Sequence, residues 1–445
     1  MSYKFAIVGS GPAGFFAAKS LVKLLPNCRV DIFEKLPVPF GLIRFGVAPD
    51  HQDMKNVTND FTELAQTPNC NFYGNVDIGK DISYQALKEA YSGVVYAFGA
   101  SSSDKKLNIP GGELTYSARD FVEWYNGMPG SASFSLKGVN KVGIVGNGNV
   151  AVDVARILAQ PLEVLAKTDI SQQAFNELKD SEIREVEMIG RRGALQAAMT
   201  AKELRLLTKV EGLSFKVYED EIQDSKNQAS VEEGELNIIG ATKLQTRARR
   251  RLFDLIDSLP RESTPGSRVQ LTLRFLHSPI SYKSPILTME RNTLCGPPFK
   301  QTCQGTGEFS TTQCDMLFRS IGYKGNSIDK DLPFDEELGV VKNTGGRVEE
   351  GVYVTGWAKT GPFGIIDTTM RNVFLTVDTL MSDMKEGKIT QKRSIETEEL
   401  LQGKQYVSFS DWEKINAYEK AEGSKTGKVR EKVTDLNKML EIAFS

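Results

Sequence analysis

The sequence predicts an α/β protein built from two doubly wound, Rossmann-like domains. Two segments, which begin near residues 4 and 141, each place a glycine-rich turn between an apolar strand and a helix. That order is typical of the start of a dinucleotide-binding unit. The chain has 445 residues, which is too long for one ordinary hydrophobic core and favours two or three domains.

The first segment, KFAIVGSGPAGFFAAKSLVKLL, has the spacing of a dinucleotide site. Residues 5–8 form a continuous apolar run, as a buried parallel strand requires. The glycines of its G-x-G-x-x-G pattern, here called the first fingerprint, are Gly9, Gly11 and Gly14. They permit a tight turn, close approach of a pyrophosphate and close packing of the helix on the strand. The helix, which ends before Pro26, directs free backbone N–H groups toward a phosphate.

The next strand, CRVDIFEK, brings an acid to the position expected for ribose binding. Glu34 lies 20 residues after Gly14, the spacing at which a carboxylate binds the hydroxyl pair of a ribose. A glycine pattern alone is also compatible with an ordinary turn, but strand, helix and acid together favour a dinucleotide. NAD and FAD both fit, because each has a free adenosine ribose.

The second segment, KVGIVGNGNVAVDVARILAQP, repeats the pattern as G-x-G-x-x-A. This second fingerprint consists of Gly146, Gly148 and Ala151. Residues 142–145 are the predicted strand, and Pro161 bounds the helix. Two copies on one chain make a chance match much less probable than one copy would.

Two arginines stand where the second unit could have had a ribose-binding acid. Its next strand, REVEMIGRRG, ends at Arg191 and Arg192. Guanidinium groups bind a 2′-phosphate through charge-assisted hydrogen bonds, whereas an acid would repel it. The alternative is a pair that only solvates a strand end, but its place after the second fingerprint favours the phosphate. We therefore predict NADPH in the second unit and FAD in the first, since an enzyme rarely needs two nicotinamide dinucleotides.

The cysteine and histidine content argues against disulfide, dithiol and metal chemistry. The five cysteines form no C-x-x-C pair, which favours a reducing compartment and argues against a disulfide framework, a zinc site or a dithiol redox centre. Only two histidines are present, which excludes a His-rich metal site, and we predict no metal.

The net charge and the hydropathy give no indication of a nucleic-acid or membrane partner for the whole molecule. A net charge of −2 gives no reason to expect nucleic acid or an acidic membrane as a partner of the whole molecule. No run of about 18 apolar residues occurs, so no transmembrane segment is predicted. No signal peptide is visible, although a removed targeting segment would leave the same sequence.

Several longer motifs are distinctive: EKLPVPFGLIRFGVAPDHQDMKNV (34–57), FVEWYNGMPG (121–130), GRRGALQAAMTAKELR (190–205), TGWAKTGPFGIIDTTM (355–370) and VSFSDWEKI (407–415). They resemble the adrenodoxin reductase family, the mitochondrial NADPH–ferredoxin reductases. The resemblance runs from residue 3 to the C-terminal segment. It weakens at about 220–300, where QDSKNQASVEEGEL indicates a variable surface loop.

The resemblance implies two sets of cofactor-binding residues. For FAD it adds Ala13, Glu34, Leu42, Ile78, Trp357, Gly364, Ile365 and Ile366 to Gly9, Gly11 and Gly14 of the first fingerprint. For NADPH they are Asn147, Gly148, Asn149, Val150, Arg191, Arg192, Glu203 and, on the nicotinamide side, Gly364. The chain departs from the family at Asn147, where a glutamine is usual, and at Phe363, a bulkier neighbour of Gly364.

The resemblance also places His51 near the flavin and near the aspartate that matches Asp153. On the residues alone, His51 is equally compatible with a loop histidine bonded to its own backbone. Hydride transfer to a flavin requires no general base, so we assign both residues an orienting or proton-relay role.

The late segment supports a flavin site independently of the resemblance. An apolar strand at 352–355 leads to a glycine turn, and GPFGIIDTTM begins a helix. The N–H groups at that helix end suit the electron-rich pyrimidine end of a flavin and would stabilise its reduced anion. For Trp357 alone, simple core filling is the competing interpretation.

A basic helix is predicted in the middle of the chain. TKLQTRARRRLFDLIDSL (242–259) carries five cations in front of the apolar residues Leu252, Leu255, Ile256 and Leu259. A solvated helix face is the usual meaning of such a run, and nucleic acid fits poorly because no aromatics interleave. The family docks a small acidic [2Fe–2S] ferredoxin through arginines that match Arg205, Arg247 and Arg251. Opposite charges would speed that encounter.

The resemblance and the late flavin segment together predict a glutathione-reductase-like arrangement. A discontinuous FAD domain comprises 1–101 and 323–445, and the NADPH domain comprises 102–322, with the cofactors meeting in the cleft. We expect a monomer, and peripheral membrane association stays open. Mitochondrial localisation is implied by the resemblance alone.

The predicted reaction is hydride transfer from NADPH to FAD, followed by release of electrons one at a time to the ferredoxin. The downstream process would be mitochondrial P450 chemistry or iron–sulfur cluster and haem biosynthesis. Competing functions are an NADPH oxidase or flavin monooxygenase, which would consume oxygen, and a non-catalytic NADPH sensor, which would turn over poorly. A disulfide reductase is disfavoured because a cysteine pair is absent.

Overall fold

The computed structural model describes residues 3–100, 103–235, 243–296, 301–364, 366–392 and 395–445. Within these residues the strands, numbered in chain order, are β1 Lys4–Val8, β2 Arg29–Phe33, β3 Cys70–Tyr73, β4 Gly93–Tyr96, β5 Ser103–Asp104, β6 Tyr116–Ser117, β7 Lys141–Val145, β8 Glu185–Ile189, β9 Leu213–Val217, β10 Val269–Arg274, β11 His277–Lys283, β12 Ile286–Cys295, β13 Thr302–Gln313, β14 Met316–Arg319, β15 Tyr323–Lys324, β16 Phe334–Asp335, β17 Val340–Val341, β18 Arg347–Glu349 and β19 Val352–Val354.

The helices, numbered in the same way, are α1 Pro12–Leu24, α2 Leu42–Phe45, α3 Gln52–Lys55, α4 Val57–Ala65, α5 Tyr84–Ala90, α6 Ala118–Tyr125, α7 Asn149–Ala159, α8 Leu162–Leu165, α9 Gln172–Lys179, α10 Ala201–Leu207, α11 Glu219–Glu235, α12 Lys243–Asp257, α13 Trp357–Thr360, α14 Ile366–Lys385, α15 Thr397–Leu401, α16 Phe409–Lys425 and α17 Leu436–Ala443. Short 3-10 turns lie at Gly112–Leu114 and Ala194–Gln196.

The chain divides into two compact units. The first unit comprises Met1–Lys105, Asn126–Gly130 and Gly322–Ser445, and the second comprises Lys106–Tyr125 and Ser131–Ile321. The predicted junction at residues 101 and 102 lies outside the described residues. Which cofactor each predicted domain binds stays a prediction at this point.

The first unit is organised by a six-stranded sheet in the order β18-β19-β4-β1-β2-β3. All its pairs are parallel except β18 with β19. The residues of β1 are buried throughout, because helices and loops cover both faces of the sheet. One hydrophobic cluster includes Phe5, Phe15 and Trp412, and another includes Val8, Tyr96 and Leu401. Strand order reverses between β1 and β4, which is where doubly wound folds bind ligands.

The second unit contains a six-stranded, fully parallel sheet in the order β6-β14-β7-β8-β10-β9. An antiparallel sheet, β11-β12-β13, joins it through a small apolar cluster that includes Val145, Ile189 and Met289. Here the reversal of strand order lies between β7 and β14, again beside a fingerprint. The predicted α/β fold with two doubly wound sheets is therefore confirmed.

One predicted element is wrong. The stretch QDSKNQASVEEGEL was predicted to be a surface loop, but α11 continues through it to Glu235. Between Glu219 and Gly234 the helix contains neither glycine nor proline, and Glu, Gln, Lys and Ala are good helix formers. High polarity therefore did not mean the absence of regular structure.

The predicted basic helix is confirmed as α12. Leu252 and Ile256 are buried, while Arg247 and Arg251 are exposed. Leu252 and Ile256 thus anchor the helix, and Arg247, Arg250 and Arg251 remain on the surface.

All five cysteines are free, as the absence of a C-x-x-C pair predicts. Burial raises the pKa of the Cys28 thiol to about 11 and that of the Cys70 and Cys314 thiols to about 12, so these three are inert at neutral pH. Among the described residues, no helix is both long enough and apolar enough to cross a bilayer.

Candidate nucleotide-binding sites

The three glycines of the first fingerprint have different geometric roles. Gly9 has φ +107° and donates its N–H to the Phe33 carbonyl at 2.8 Å, and a side chain there would lie 2.6 Å from the Ala97 carbonyl oxygen. A methyl group at Gly14 would overlap the Gly9 carbonyl oxygen. At Gly11, the N-cap of α1, an added Cβ would have nothing within 4 Å. The turn therefore leaves open space in front of free N–H groups, which fits a pyrophosphate.

Glu34 is tied to this turn. One carboxylate oxygen accepts hydrogen bonds from Ser10 N–H at 3.1 Å and from Ser10 Oγ at 2.7 Å. The other accepts the Leu36 N–H at 3.1 Å. An ionised carboxylate has about four lone-pair sites, so half-buried Glu34 keeps acceptor capacity for ribose hydroxyls.

The late segment lies beside the first fingerprint helix. A Cβ at Gly356, where φ is +63°, would stand 2.6 Å from Ala13 Cβ. Trp357 follows directly and donates its indole N–H to the Phe363 carbonyl at 3.0 Å. The indole is only half-buried, so Trp357 does not fill the core. Gly364 has φ +89°, so its backbone conformation also favours glycine.

The remaining residues implied for FAD have different environments. Leu42 is 41% exposed in α2, and a Cβ on the preceding Gly41 would lie 3.0 Å from Gly11 Cα. Ile78 is buried in the hydrophobic cluster that contains Val8. Ile366 begins α14 and is partly buried, whereas Ile365 lies outside the described residues.

The second fingerprint repeats the geometry of the first. Gly146 has φ +125° and donates its N–H to the Ile189 carbonyl at 2.8 Å, and a methyl group there would overlap the Ser320 carbonyl oxygen. Gly148, the N-cap of α7, again has nothing within 4 Å of an added Cβ, and Ala151 is fully buried. This turn has the same open space for a pyrophosphate.

Two asparagines join this turn to a neighbouring loop. Asn147 Oδ1 accepts the Ala198 N–H at 3.4 Å, and Asn149 Oδ1 accepts the Thr200 N–H at 2.9 Å. Val150, the next residue along α7, is 36% exposed. The predicted NADPH residues 147–150 therefore include Gly148, which borders the open space, and two asparagines whose side chains are held by hydrogen bonds.

The backbone of the arginine turn is braced from outside its own strand. Arg191 is exposed and Arg192 is half-buried, and Gly190 separates the pair from the end of β8. Asn292 Nδ2 donates to the Arg191 carbonyl at 2.9 Å, and Leu276 N–H donates to the Arg192 carbonyl at 3.1 Å. Because both carbonyls accept a hydrogen bond, the backbone that carries the two guanidinium groups is held in place. Sequence reasoning missed Asn292, because a lone asparagine on β12 carries no motif.

A buried polar network lies next to the arginine turn. Arg274 Nε donates to Glu221 at 2.8 Å, and the Phe275 N–H donates to the same carboxylate at 2.6 Å. Burial outweighs these contacts and raises the pKa of Glu221 to about 7. Burial and the charge of Arg274 lower the pKa of His277, whose Nδ1 lies 2.6 Å from the Phe275 carbonyl. His277 is therefore neutral with its proton on Nδ1, and its backbone N–H donates to the Gly190 carbonyl at 3.0 Å.

Arg156 connects two of the predicted site residues. Its Nη2 donates to Asp153 at 2.7 Å, and its Nη1 lies 3.6 Å from the Glu203 carboxylate. Arg156 is 1% exposed, so a buried cation orients Asp153 by a hydrogen bond and lies within ion-pair distance of Glu203. The sequence pointed to Asp153 and Glu203 but not to Arg156. His51 belongs to the first unit, and its predicted relation to Asp153 stays a prediction.

The arginines predicted to dock a partner lie on two neighbouring helices. Arg205 is exposed on α10, and Arg247 and Arg251 are exposed on α12. The two helices pack against each other. The three guanidinium groups therefore belong to one region of the second unit, here called the basic patch.

Known proteins are similar to this chain in both sequence and structure. A family model described as pyridine nucleotide-disulphide oxidoreductase matches residues 3–209. The NADPH:adrenodoxin oxidoreductase, mitochondrial, of Salvelinus fontinalis is 41% identical over 470 residues, which cover 99% of this chain and 91% of the relative. NADPH-ferredoxin reductase FprA of Mycobacterium tuberculosis is 37% identical over 99% of both chains. The solved structure of that FprA in complex with NADPH matches with a TM-score of 0.90 and 36% identity over 100% of both chains.

The fingerprint geometry predicts different outcomes for two alanine substitutions. Gly14→Ala should lower the unfolding free energy of the apoprotein by about 1–3 kcal/mol, because the methyl group overlaps backbone. Gly11→Ala should leave the melting temperature unchanged but remove most of the bound flavin, because its methyl group occupies only the open space. Thermal unfolding of the apoprotein and flavin absorbance per chain measure the two effects.

Gly148→Ala is the matched control, since it also places a methyl group in open space but in the second unit. It should keep the flavin and weaken NADPH binding. A Gly11→Ala protein that retains full flavin content would show that the pyrophosphate does not occupy this space.

Proposed function

The chain belongs to the NADPH:adrenodoxin oxidoreductase family, and on that basis we propose that it takes electrons from NADPH through FAD and delivers them to a ferredoxin. The observation that carries the proposal is the pairing of an acid after the first fingerprint with two arginines after the second. Relatives at about 40% identity over 99% of the chain support the same reaction.

The residues around each fingerprint fit one of the two cofactors. Gly11 and Glu34 would hold the pyrophosphate and adenosine ribose of FAD, with Trp357 and the start of α14 toward the flavin. Gly148 and the Arg191–Arg192 pair would hold the pyrophosphate and 2′-phosphate of NADPH. When bound, FAD supplies the conversion between hydride chemistry and the one-electron chemistry of an iron–sulfur protein.

The chain's own contribution is binding, orientation and charge. The free N–H groups of α1 and α7 face the open spaces and favour phosphates. Each charge-assisted hydrogen bond from Arg191 or Arg192 would contribute roughly 1.5–3 kcal/mol toward a 2′-phosphate. Arg156 keeps Asp153 in a fixed orientation, which suits an orienting role for Asp153.

The basic patch suits an acidic electron carrier. We propose that Arg205, Arg247 and Arg251 steer a [2Fe–2S] ferredoxin to the second unit, and that the enzyme works as a monomer. Exposed charges are screened within about 10 Å at 0.1 M salt, so the encounter should weaken as salt rises.

We further propose mitochondrial localisation, where the ferredoxin would serve P450 chemistry or iron–sulfur cluster and haem biosynthesis. Support comes from the names of relatives in animals and in Arabidopsis thaliana, which include the word mitochondrial. A bacterial relative is similar over the same length, so the ferredoxin reductase activity is the broader proposal.

The first test is NADPH-driven cytochrome c reduction with and without a mitochondrial-type [2Fe–2S] ferredoxin. We expect strong ferredoxin dependence that fades as salt rises. Rapid oxygen consumption without ferredoxin would instead favour an oxidase or monooxygenase. Tight binding of both nucleotides with poor turnover toward every acceptor would favour a sensor.

Charge reversal tests the basic patch. Arg247→Glu with Arg251→Glu should lower the ferredoxin-dependent rate roughly tenfold or more at low salt, because steering is lost. Ferricyanide reduction should be unchanged, since it needs no docking. Lys167→Glu with Lys179→Glu, also exposed in the second unit, is the control and should leave both rates alone. An equal fall in both activities of the arginine variant would contradict docking at this patch.

Neutralising the arginine turn tests cofactor choice. Arg191→Gln with Arg192→Gln should raise the KM for NADPH about a hundredfold, while the KM for NADH changes little, because only NADPH has the 2′-phosphate. Steady-state kinetics with ferricyanide measure both constants. Lys202→Gln with Lys209→Gln, exposed lysines nearby, is the control. Equal effects on the two nucleotides would overturn the phosphate assignment.

A further inference from the structure

A strained segment lies against the first fingerprint. Phe40 has φ +83°, a conformation that bulky residues rarely adopt, and Gly41 follows at φ +49°. Phe40 N–H donates to the Ser10 carbonyl at 3.0 Å, and a Cβ on Gly41 would lie 3.0 Å from Gly11 Cα. Such strain persists only where the surroundings fix the backbone, and it often marks a functional site.

The C-terminal part of the chain supplies an aromatic contact that fixes this segment. Trp412 of α16 is 2% exposed and meets the Phe40 ring edge-on, with centroids 6.1 Å apart. The guanidinium of Arg44 lies 5.0 Å from the centre of the same indole. One buried side chain therefore contacts both the strained Phe40 and Arg44 in the helix that follows it.

A buried ionic cluster completes the attachment. Glu419, also on α16, is fully buried and accepts hydrogen bonds from Arg44, from Arg430 Nη1 at 3.1 Å and from the Val433 N–H at 3.0 Å. Lys432 Nζ donates to the Arg44 carbonyl at 3.0 Å. The side chain and the backbone of Arg44 are thus both held from the C-terminal segment 409–433.

Buried ions are a costly way to gain stability, because an apolar set of similar volume is often as stable. Their hydrogen bonds are directional, however, and fix a backbone that apolar packing alone would let relax. We therefore expect the cluster to contribute more to fixing the backbone of residues 40–45 than to the free energy of unfolding.

We propose that Trp412 and Glu419 are positioning residues for FAD. They hold Phe40 and Gly41 in their strained conformation beside Gly11, through the Phe40 ring and through Arg44 of α2, so retention of FAD depends on a helix far along the chain from the fingerprint. The inference rests on the proposed function, since it takes FAD as the ligand of the first fingerprint.

The test is the affinity of the full-length apoprotein for FAD, measured by quenching of flavin fluorescence. Glu419→Gln should raise the Kd for FAD about tenfold or more, the factor expected when a charge-assisted hydrogen bond is lost. Binding of NADP⁺ to the second unit, measured by calorimetry, should be unchanged. Glu422→Gln, a partly exposed carboxylate on the same helix that pairs with exposed Lys425, is the matched control and should behave as the wild type.

A second variant separates positioning from stability. Arg44→Met with Glu419→Leu and Arg430→Met removes all three charges that meet at Glu419, so only the Val433 N–H loses its acceptor and the melting temperature should stay near that of the wild type. We expect faster release of FAD nevertheless. Wild-type affinity for FAD in this variant and in Glu419→Gln would overturn the inference. A wild-type protein that binds no FAD would instead overturn the proposed function.

Discussion

Both nucleotide sites depend on one steric constraint. Directly after a buried central strand the backbone must turn in a space that no side chain can share. At Gly9 a Cβ would press on the Ala97 carbonyl, and at Gly146 it would overlap the Ser320 carbonyl. Only glycine satisfies this constraint at positive φ. The following helix then begins with its free N–H groups facing open space, and the chemistry of each site is built around that space.

The two units share this strand–turn–helix arrangement but differ in the charge of the residues that follow the next strand. In the first unit β2 ends at Phe33, directly before Glu34, and in the second unit β8 ends at Ile189, two residues before Arg191. A carboxylate there suits ribose hydroxyls, and guanidinium groups suit a phosphate. The same backbone turn therefore suits two different ligands, because the side chains that follow β2 and β8 differ.

Distant parts of the chain then make these sites rigid. Asn292 on β12 fixes the carbonyl of Arg191, Arg156 orients Asp153, and Glu419 on α16 binds Arg44, three residues after Gly41, which lies close to Gly11. All three bracing residues are at least 96% buried. Binding groups are held best when residues behind them are locked by packing and hydrogen bonds.

The sequence by itself determined the local features: both glycine turns, the strands and helices that flank them, the basic helix α12, and the acid and arginines at the strand ends. Each follows from residue spacing, because strand and helix periodicity and the demands of a tight turn act over short stretches of chain. Polarity alone misled at 223–235, where helix propensity prevailed. Only the tertiary structure decided the order of the parallel strands and the roles of Arg156, Asn292, Trp412 and Glu419. Their partners are brought to them by sheet pairing and helix packing between residues far apart in the chain, and no local pattern records such contacts.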